Sequence, residues 1–422
     1  MHLRLPRFLP PLMVLLGLGT PSSACTLFKV TQGGRTMVGN NEDAWSINAR
    51  IRFENGRPGE FGAVYLDHYN GSPLRRMIDQ GGMNEAGLMY DGLKVPSGAL
   101  RQRTGATGTS WYAVIDQVMR TCSTVHEAKA QFSSCDLSAL NGAMLFLTDR
   151  TGDYLIVEGD TLFTGNDATY AVSNFRPSTC KDFDAVPIPR YQKGRALLFA
   201  GADTSLAFCT AVMDSMRACR TKLGNGTIYT NIFDLERGLV HLYFYHDFTE
   251  LRTFSLKEEL AKGDHILDMS ALFGPNAEFE RLVAYVTPFH WRGMFYLLAA
   301  AALLASGVGA RAGSLLLVWI VPRRQKRPPL RAVLPLIVQL VSCAGLVVLV
   351  PILLLNEGVY YFGLGDVAPV LAWVPLILAI AVVVLLTATW RTRTTNPWMF
   401  PFSAAMFLPF LGLLAYWGML WP

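Results

Sequence analysis

The sequence predicts an α+β exported domain followed by an all-α membrane region. Three observations carry that division. Residues 1–24 have the layout of a leader that ends just before Cys25. Residues 25–288 group short strands and intersperse helices among the groups. From about Phe295 onward the chain becomes a series of long apolar runs.

The leader starts with His2, Arg4 and Arg7, continues through the apolar core "FLPPLMVLLGLG" and closes on Ser22-Ser23-Ala24. That order of basic, apolar and small residues is a secretory signal peptide, with cleavage expected after Ala24. Its apolar stretch is short for a bilayer span.

Four apolar segments, about 294–321, 332–355, 367–389 and 398–421, each reach the length of about 20 residues that a transmembrane helix needs. Basic loops follow the first segment, "PRRQKRPPLR", and the third, "WRTRTTNPW". The loop between the second and third, "NEGVYYFGLGDVAP", has acidic residues and no basic ones. The positive-inside rule places both basic loops in the cytoplasm and residues 25–288 outside it. Arg311 and Gln339 are the main polar residues of these segments. Such scarcity suits an anchor bundle better than a transport path.

Within residues 25–288, "CTLFKVT" and "RTMVGNNEDAW" alternate about the turn "QGG" and predict a hairpin. "AVYLDHY" and "GGMNEAGLMYDGLKV" add strands. "SWYAVIDQVMRTC" has helical spacing, and "STVHEAKAQF" begins on a cap at Ser123 or Thr124. Strands recur at "GAMLFLTD", "DYLIVEGD", "TLFTG" and "YAVSNF". Two helices follow, "RYQKGRALLFAG" and "SLAFCTAVMDSMRA", then the hairpin "TIYTNIFDLERGLVHLYFYHD". Grouped strands with helices between the groups predict helices packed on antiparallel sheets. The domain boundary falls near "YVTPFHWRG".

The net charge of +5 is modest and forms no basic stripe, so nucleic acid is not an expected partner. No zinc spacing, phosphate loop or G-x-S-x-G turn is present, and no cofactor is expected. Seven cysteines occur. In an oxidising compartment Cys122 with Cys135, and Cys209 with Cys219, are candidate disulfide pairs. Connectivity is not fixed by spacing.

Cys25 stands apart. Cleavage after Ala24 would put a thiol and a free α-amine on one residue, supplying nucleophile and base together. The α-amine, with a pKa near 8, is partly neutral at pH 7. Neighbouring positive charge is expected to favour the thiolate.

"CTLF", "GNNEDAW", "GGMNEAGLMYDGLKVP" and "YAVSNF", in this order, resemble the motifs of the choloylglycine hydrolase family, which contains bile-salt hydrolases and penicillin V acylases. The resemblance spans about residues 25–250. It implies a four-layer αββα sandwich of the N-terminal-nucleophile (Ntn) type and cysteine attack on a linear amide. It implies Cys25 as nucleophile, Asp43 as the aspartate that positions amine and thiol, and Asn84 and Asn174 as oxyanion donors. It also implies Arg190 as a late active-site arginine, with Arg195 as the competing position. The family often has arginine where this chain has Asn40. Asn41 and Glu42 read as structural, with Glu42 able to orient a neighbour.

The resulting expectation is a membrane-tethered, multi-pass amidohydrolase whose catalytic domain is extracytoplasmic. Its expected partners are a small-molecule N-acyl amide, lipid-like in one form, and membrane lipid. An acyltransferase on the same scaffold, or a non-enzymatic binding module lipidated at Cys25, are the alternatives.

Overall fold

The computed structural model describes residues 25–44, 48–69, 77–98, 111–218, 226–285, 287, 294–299, 302, 345, 349–356, 359–391 and 399–421. The chain divides into two compact units, one of Ser23–Ala284 and another containing Tyr285–Pro422. The predicted leader, Cys219, Cys343 and most of the first two apolar segments lie outside the described residues.

The first unit is a mixed helix and sheet structure with two antiparallel sheets. β1 (Thr26–Gln32) and β2 (Arg35–Ala44) form the predicted hairpin. Gly33 and Gly34 both take positive φ at its tip, the backbone that a tight hairpin turn requires. Two further hairpin strands, β11 (Gly226–Asp234) and β12 (Leu239–Phe244), extend this sheet, as do β10 (Thr169–Val172) and β13 (Asp247–Ser255). The order is β10-β1-β2-β11-β12-β13.

The second sheet has eight strands in the order β14-β3-β4-β5-β6-β7-β8-β9. Its strands are β3 (Ala49–Glu54), β4 (Ala63–Tyr69), β5 (Met77–Asn84), β6 (Met89–Lys94), β7 (Ala143–Thr148), β8 (Tyr154–Val157), β9 (Leu162–Gly165) and β14 (His265–Asp268). Ring contacts of 5.8 Å, Phe53 with Phe254 and Phe146 with Tyr170, join the inner faces of the two sheets.

Each outer face carries a helix pair, because strand residues alternate sides with a period of two. Helices α1 (Trp111–Thr121) and α2 (Val125–Ser133) pack Val114, Val118, Val125 and Phe132 against Tyr65, Tyr90 and Leu147 of the eight-stranded sheet. Thr124 caps α2 in a capping box, accepting from Glu127 N while the Glu127 side chain returns to the cap. Helices α3 (Pro189–Ala200) and α4 (Leu206–Met216) pack Tyr191, Val212 and Met213 against Phe28, Met37 and Ile232 of the six-stranded sheet. Gly39 allows this approach: a Cβ there would lie 2.4 Å from the Phe28 ring and 2.9 Å from Met213.

The expected pairing of Cys122 with Cys135 is corrected by the structure, in which both thiols are free and buried in one apolar cluster. Each serves as a small hydrophobe there. Cys180 and Cys209 are also free.

In the second unit, among the described residues, one helical segment, Pro369–Arg391, is long and apolar enough to cross a membrane. Ile377, Ile380 and Val383 are exposed along it, and exposed Trp373 and Trp390 stand near its ends. Met399–Tyr416 forms a further apolar helix. Among the described residues, one of the four expected segments thus forms a helix of spanning length, and the multi-pass arrangement stays an expectation from the sequence.

Candidate active site

Cys25 precedes β1 and is 4% exposed. Antiparallel pairing with β2 brings residues 40–43 alongside it, since Thr26 is registered with Asn41. Alternation then splits β2 into two faces. Asn41 turns toward the helices, where its Nδ2 donates to Met213 O at 2.9 Å and its Oδ1 accepts from Thr230 Oγ1 at 2.5 Å. Glu42 turns into the space between the sheets and meets His68 of β4.

The Cys25 thiol donates to Glu42 Oε2 at 3.1 Å. The other carboxylate oxygen, Oε1, lies 3.0 Å from His68 Nε2. Glu42 and His68 are both buried. Ser173 fixes the Cys25 backbone, its Oγ donating to Cys25 O at 3.1 Å.

Beside this group lies a second one. Asp43 Oδ1 accepts from Thr227 Oγ1 at 2.6 Å, and Oδ2 is 3.3 Å from Arg190 Nη2. The same Arg190 nitrogen donates to Asn174 Oδ1 at 3.0 Å. Asn174 Nδ2 donates to Lys94 O at 2.7 Å, which ties this group to the end of β6 on the other sheet. The structure thus brings Cys25, Asp43, Asn174 and Arg190 together. Arg195 goes elsewhere, pairing with Asp184 at 2.9 Å.

Asn84 is not placed to act as an oxyanion donor. Its Nδ2 donates to Met119 O and to Cys122 O, both at 2.9 Å, and its Oδ1 accepts from Leu88 N at 3.0 Å. Both side-chain amide hydrogens are engaged at the end of α1, away from the group around Cys25 that the contacts above describe. Asn84→Ala leaves two buried carbonyls and an amide N–H without that partner, a loss of about 3 kcal/mol. The expected outcome in thermal unfolding is a clear fall in Tm, with the kcat of the folded fraction preserved.

Electrostatics around the sulfur also depart from expectation. The Cys25 thiol is pushed well above its usual value, first by burial and then by the charges of Glu42, Asp43 and Asp91. A backbone hydrogen bond from Asp43 pulls weakly the other way. Burial disfavours the charged form of a thiol, so the resting state here is the protonated one. Asp91 of β6 is raised well above the usual carboxylate range by burial first and by Glu42 second, which favours its neutral form.

His68, Asp91, Thr227 and Ser173 were not singled out by sequence. Asn40 lies directly opposite Asn231 of β11. Both are buried, and neither side-chain amide has a hydrogen-bond partner among the described residues.

No family model matches the chain, and no curated protein matches it. Among solved structures, two variants of the conjugated bile acid hydrolase from Clostridium perfringens are similar at 17% identity and TM-score 0.45, covering 60% of this chain and 97% of theirs. Penicillin V acylase from Agrobacterium tumefaciens is similar at 17% identity and TM-score 0.42, covering 58% of this chain and 86% of its own.

Proposed function

We propose that the chain is a membrane-tethered N-terminal-cysteine amidohydrolase that cleaves a linear carbon–nitrogen bond in an N-acyl amide. The observation that carries this reading is the meeting of the Cys25 sulfur with an acceptor carboxylate, beside the Asp43–Arg190–Asn174 group, at the start of the first strand. The reading takes residues 1–24 as a removed signal peptide and 25–288 as a four-layer αββα Ntn sandwich outside the cytoplasm. It takes 294–421 as four spans that hold this domain near lipid.

In this reading Cys25 Sγ attacks the amide carbonyl and forms an acyl-enzyme, which water then releases. The α-amine exposed by cleavage supplies acid–base capacity on the same residue. Asp43 positions that amine through its charge. Asn174 offers an amide N–H to the developing oxyanion, an interaction worth roughly 3 to 4 kcal/mol in the transition state. Arg190 bridges Asp43 and Asn174, so one guanidinium orients both. A substrate with a long acyl chain suits placement beside a bilayer.

The direct test is an acid quench of the full-length chain during turnover of N-acyl amides of graded chain length, followed by peptide mass analysis. A mass increment equal to the acyl group, on a peptide that begins with Cys25, is the expected result. Turnover with an intact Ala24–Cys25 bond throughout the sample would sink the reading.

A further inference from the structure

Glu42 links the sulfur on one sheet to an imidazole on the other. The Cys25 thiol donates to Oε2 at 3.1 Å, while Oε1 holds His68 Nε2 at 3.0 Å. A carboxylate already accepting the proton in question meets the geometric requirement for a general base. Among the described residues, the titratable groups set against Glu42 are Cys25 at the start of β1, Asp43 beside it on β2, His68 on β4, Asp91 on β6 and Tyr229 on β11. Within this set His68 is the group able to carry positive charge. Arg190 lies against Asp43, its Nη2 3.3 Å from Oδ2.

The sulfur and the α-amine have different needs. With a pKa near 8, an N-terminal amine is mostly protonated at pH 6 to 7, a poor base but a competent acid. Burial and the surrounding carboxylates keep the resting thiol protonated. A separate acceptor is therefore useful at the moment of attack.

We propose that Glu42 takes the Cys25 thiol proton during attack, that His68 is its positioning residue, and that the α-amine serves the leaving group. This rests on the reading of Cys25 as the nucleophile. As Sγ bonds to the carbonyl carbon, the S–H bond breaks, the proton passes to Glu42 Oε2 and the carbonyl π pair moves to oxygen. Collapse breaks the C–N bond, and the protonated α-amine gives its proton to the departing nitrogen. The enzyme now holds a thioester, a protonated Glu42 and a neutral α-amine. Water adds to the thioester carbonyl and loses its proton to the α-amine. The expelled thiolate then recovers the proton from Glu42, and the acid product leaves.

The test is the pH dependence of kcat/KM for the full-length chain and its variants with one N-acyl amide, alongside iodoacetamide alkylation of Cys25. In the wild-type chain the acid limb is expected well below the ordinary α-amine range of about 8. Glu42→Gln should lose about 100-fold at pH 6.5, with its acid limb moved up toward that of the amine. Alkylation of Cys25 at pH 6.5 should slow in parallel, loss of the proton acceptor outweighing relief of the Glu42 charge that raises the thiol. His68→Gln keeps an N–H donor for Glu42 and should stay within about 10-fold of wild type, whereas His68→Phe should follow Glu42→Gln. If Glu42→Gln fails to fold, Glu42→Asp and the wild-type profile itself still decide. A wild-type acid limb at about 8, or a Glu42→Gln profile and alkylation rate equal to wild type, overturns the proposal while leaving Cys25 as nucleophile. Full activity in Cys25→Ala removes the nucleophile reading beneath it, and the proposal with it.

Discussion

Cys25→Ala lowers turnover of an N-acyl amide by about four orders of magnitude or more, the scale expected when a covalent nucleophile is removed. The argument is chemical. Alanine retains an α-amine after cleavage, so a mechanism using only that amine and bound water would survive the change. A covalent mechanism does not, because no acyl-enzyme forms. The fold should tolerate the change: the thiol's hydrogen bonds are to Glu42 and from the Asp43 backbone, and alanine is smaller. Progress curves and unfolding curves measured together check both halves. Residual turnover within 10-fold of wild type, on a folded variant, would count decisively against nucleophilic catalysis by this residue.

The second large effect belongs to Asp43. Its carboxylate is buried, accepts from Thr227 and pairs with Arg190, whose side chain is only 13% exposed. Asp43→Ala leaves that guanidinium without its carboxylate, and breaking a buried pair by removing one partner costs about 3 kcal/mol or more. Asn174 loses orientation as well, since the same Arg190 nitrogen holds it. The expected result is a steep fall in unfolding midpoint together with loss of activity. Asp43→Asn separates the two effects. Its amide oxygen still accepts from Thr227, so the variant should recover much of the stability. Its neutral side chain should leave kcat depressed, because the charge that positions the amine is gone. Denaturant titration and steady-state kinetics on both variants check this.

Much of this arrangement was legible in the sequence. The hairpin over residues 26–44 showed in alternation and in the Gly33–Gly34 turn. The start of the helix after residue 122 shows as a cap at Ser123 or Thr124, and the structure places it at Thr124. Motif order singles out Cys25, Asp43 and Asn174, with Arg190 and Arg195 competing as the later arginine; in the structure Arg190 is the one beside Asp43 and Asn174. Other parts were hidden for physical reasons. β13 is only partly buried along its length, which leaves little apolar alternation to read. β14 has four residues. His68 meets Glu42 only because two sheets stack, and nothing local in "AVYLDHY" announces that. A turn asparagine and an oxyanion asparagine look alike in sequence, and Asn84 differs from Asn174 only in the hydrogen-bond partners the fold gives it.

β2 sets neighbouring residues to different work, with Asn41 tied to a helix and Glu42 facing the opposite sheet. That division has a consequence for how such a strand can change over time. A point substitution disturbs one contact. Deletion of a single codon between Arg35 and Glu42 would reverse the facing of every residue on one side of the gap, carrying acidic groups into helix packing and apolar ones toward the sulfur. Length variation in this hairpin is thereby confined to its tip at Gly33–Gly34, where added residues extend into solvent and leave the pairing frame intact.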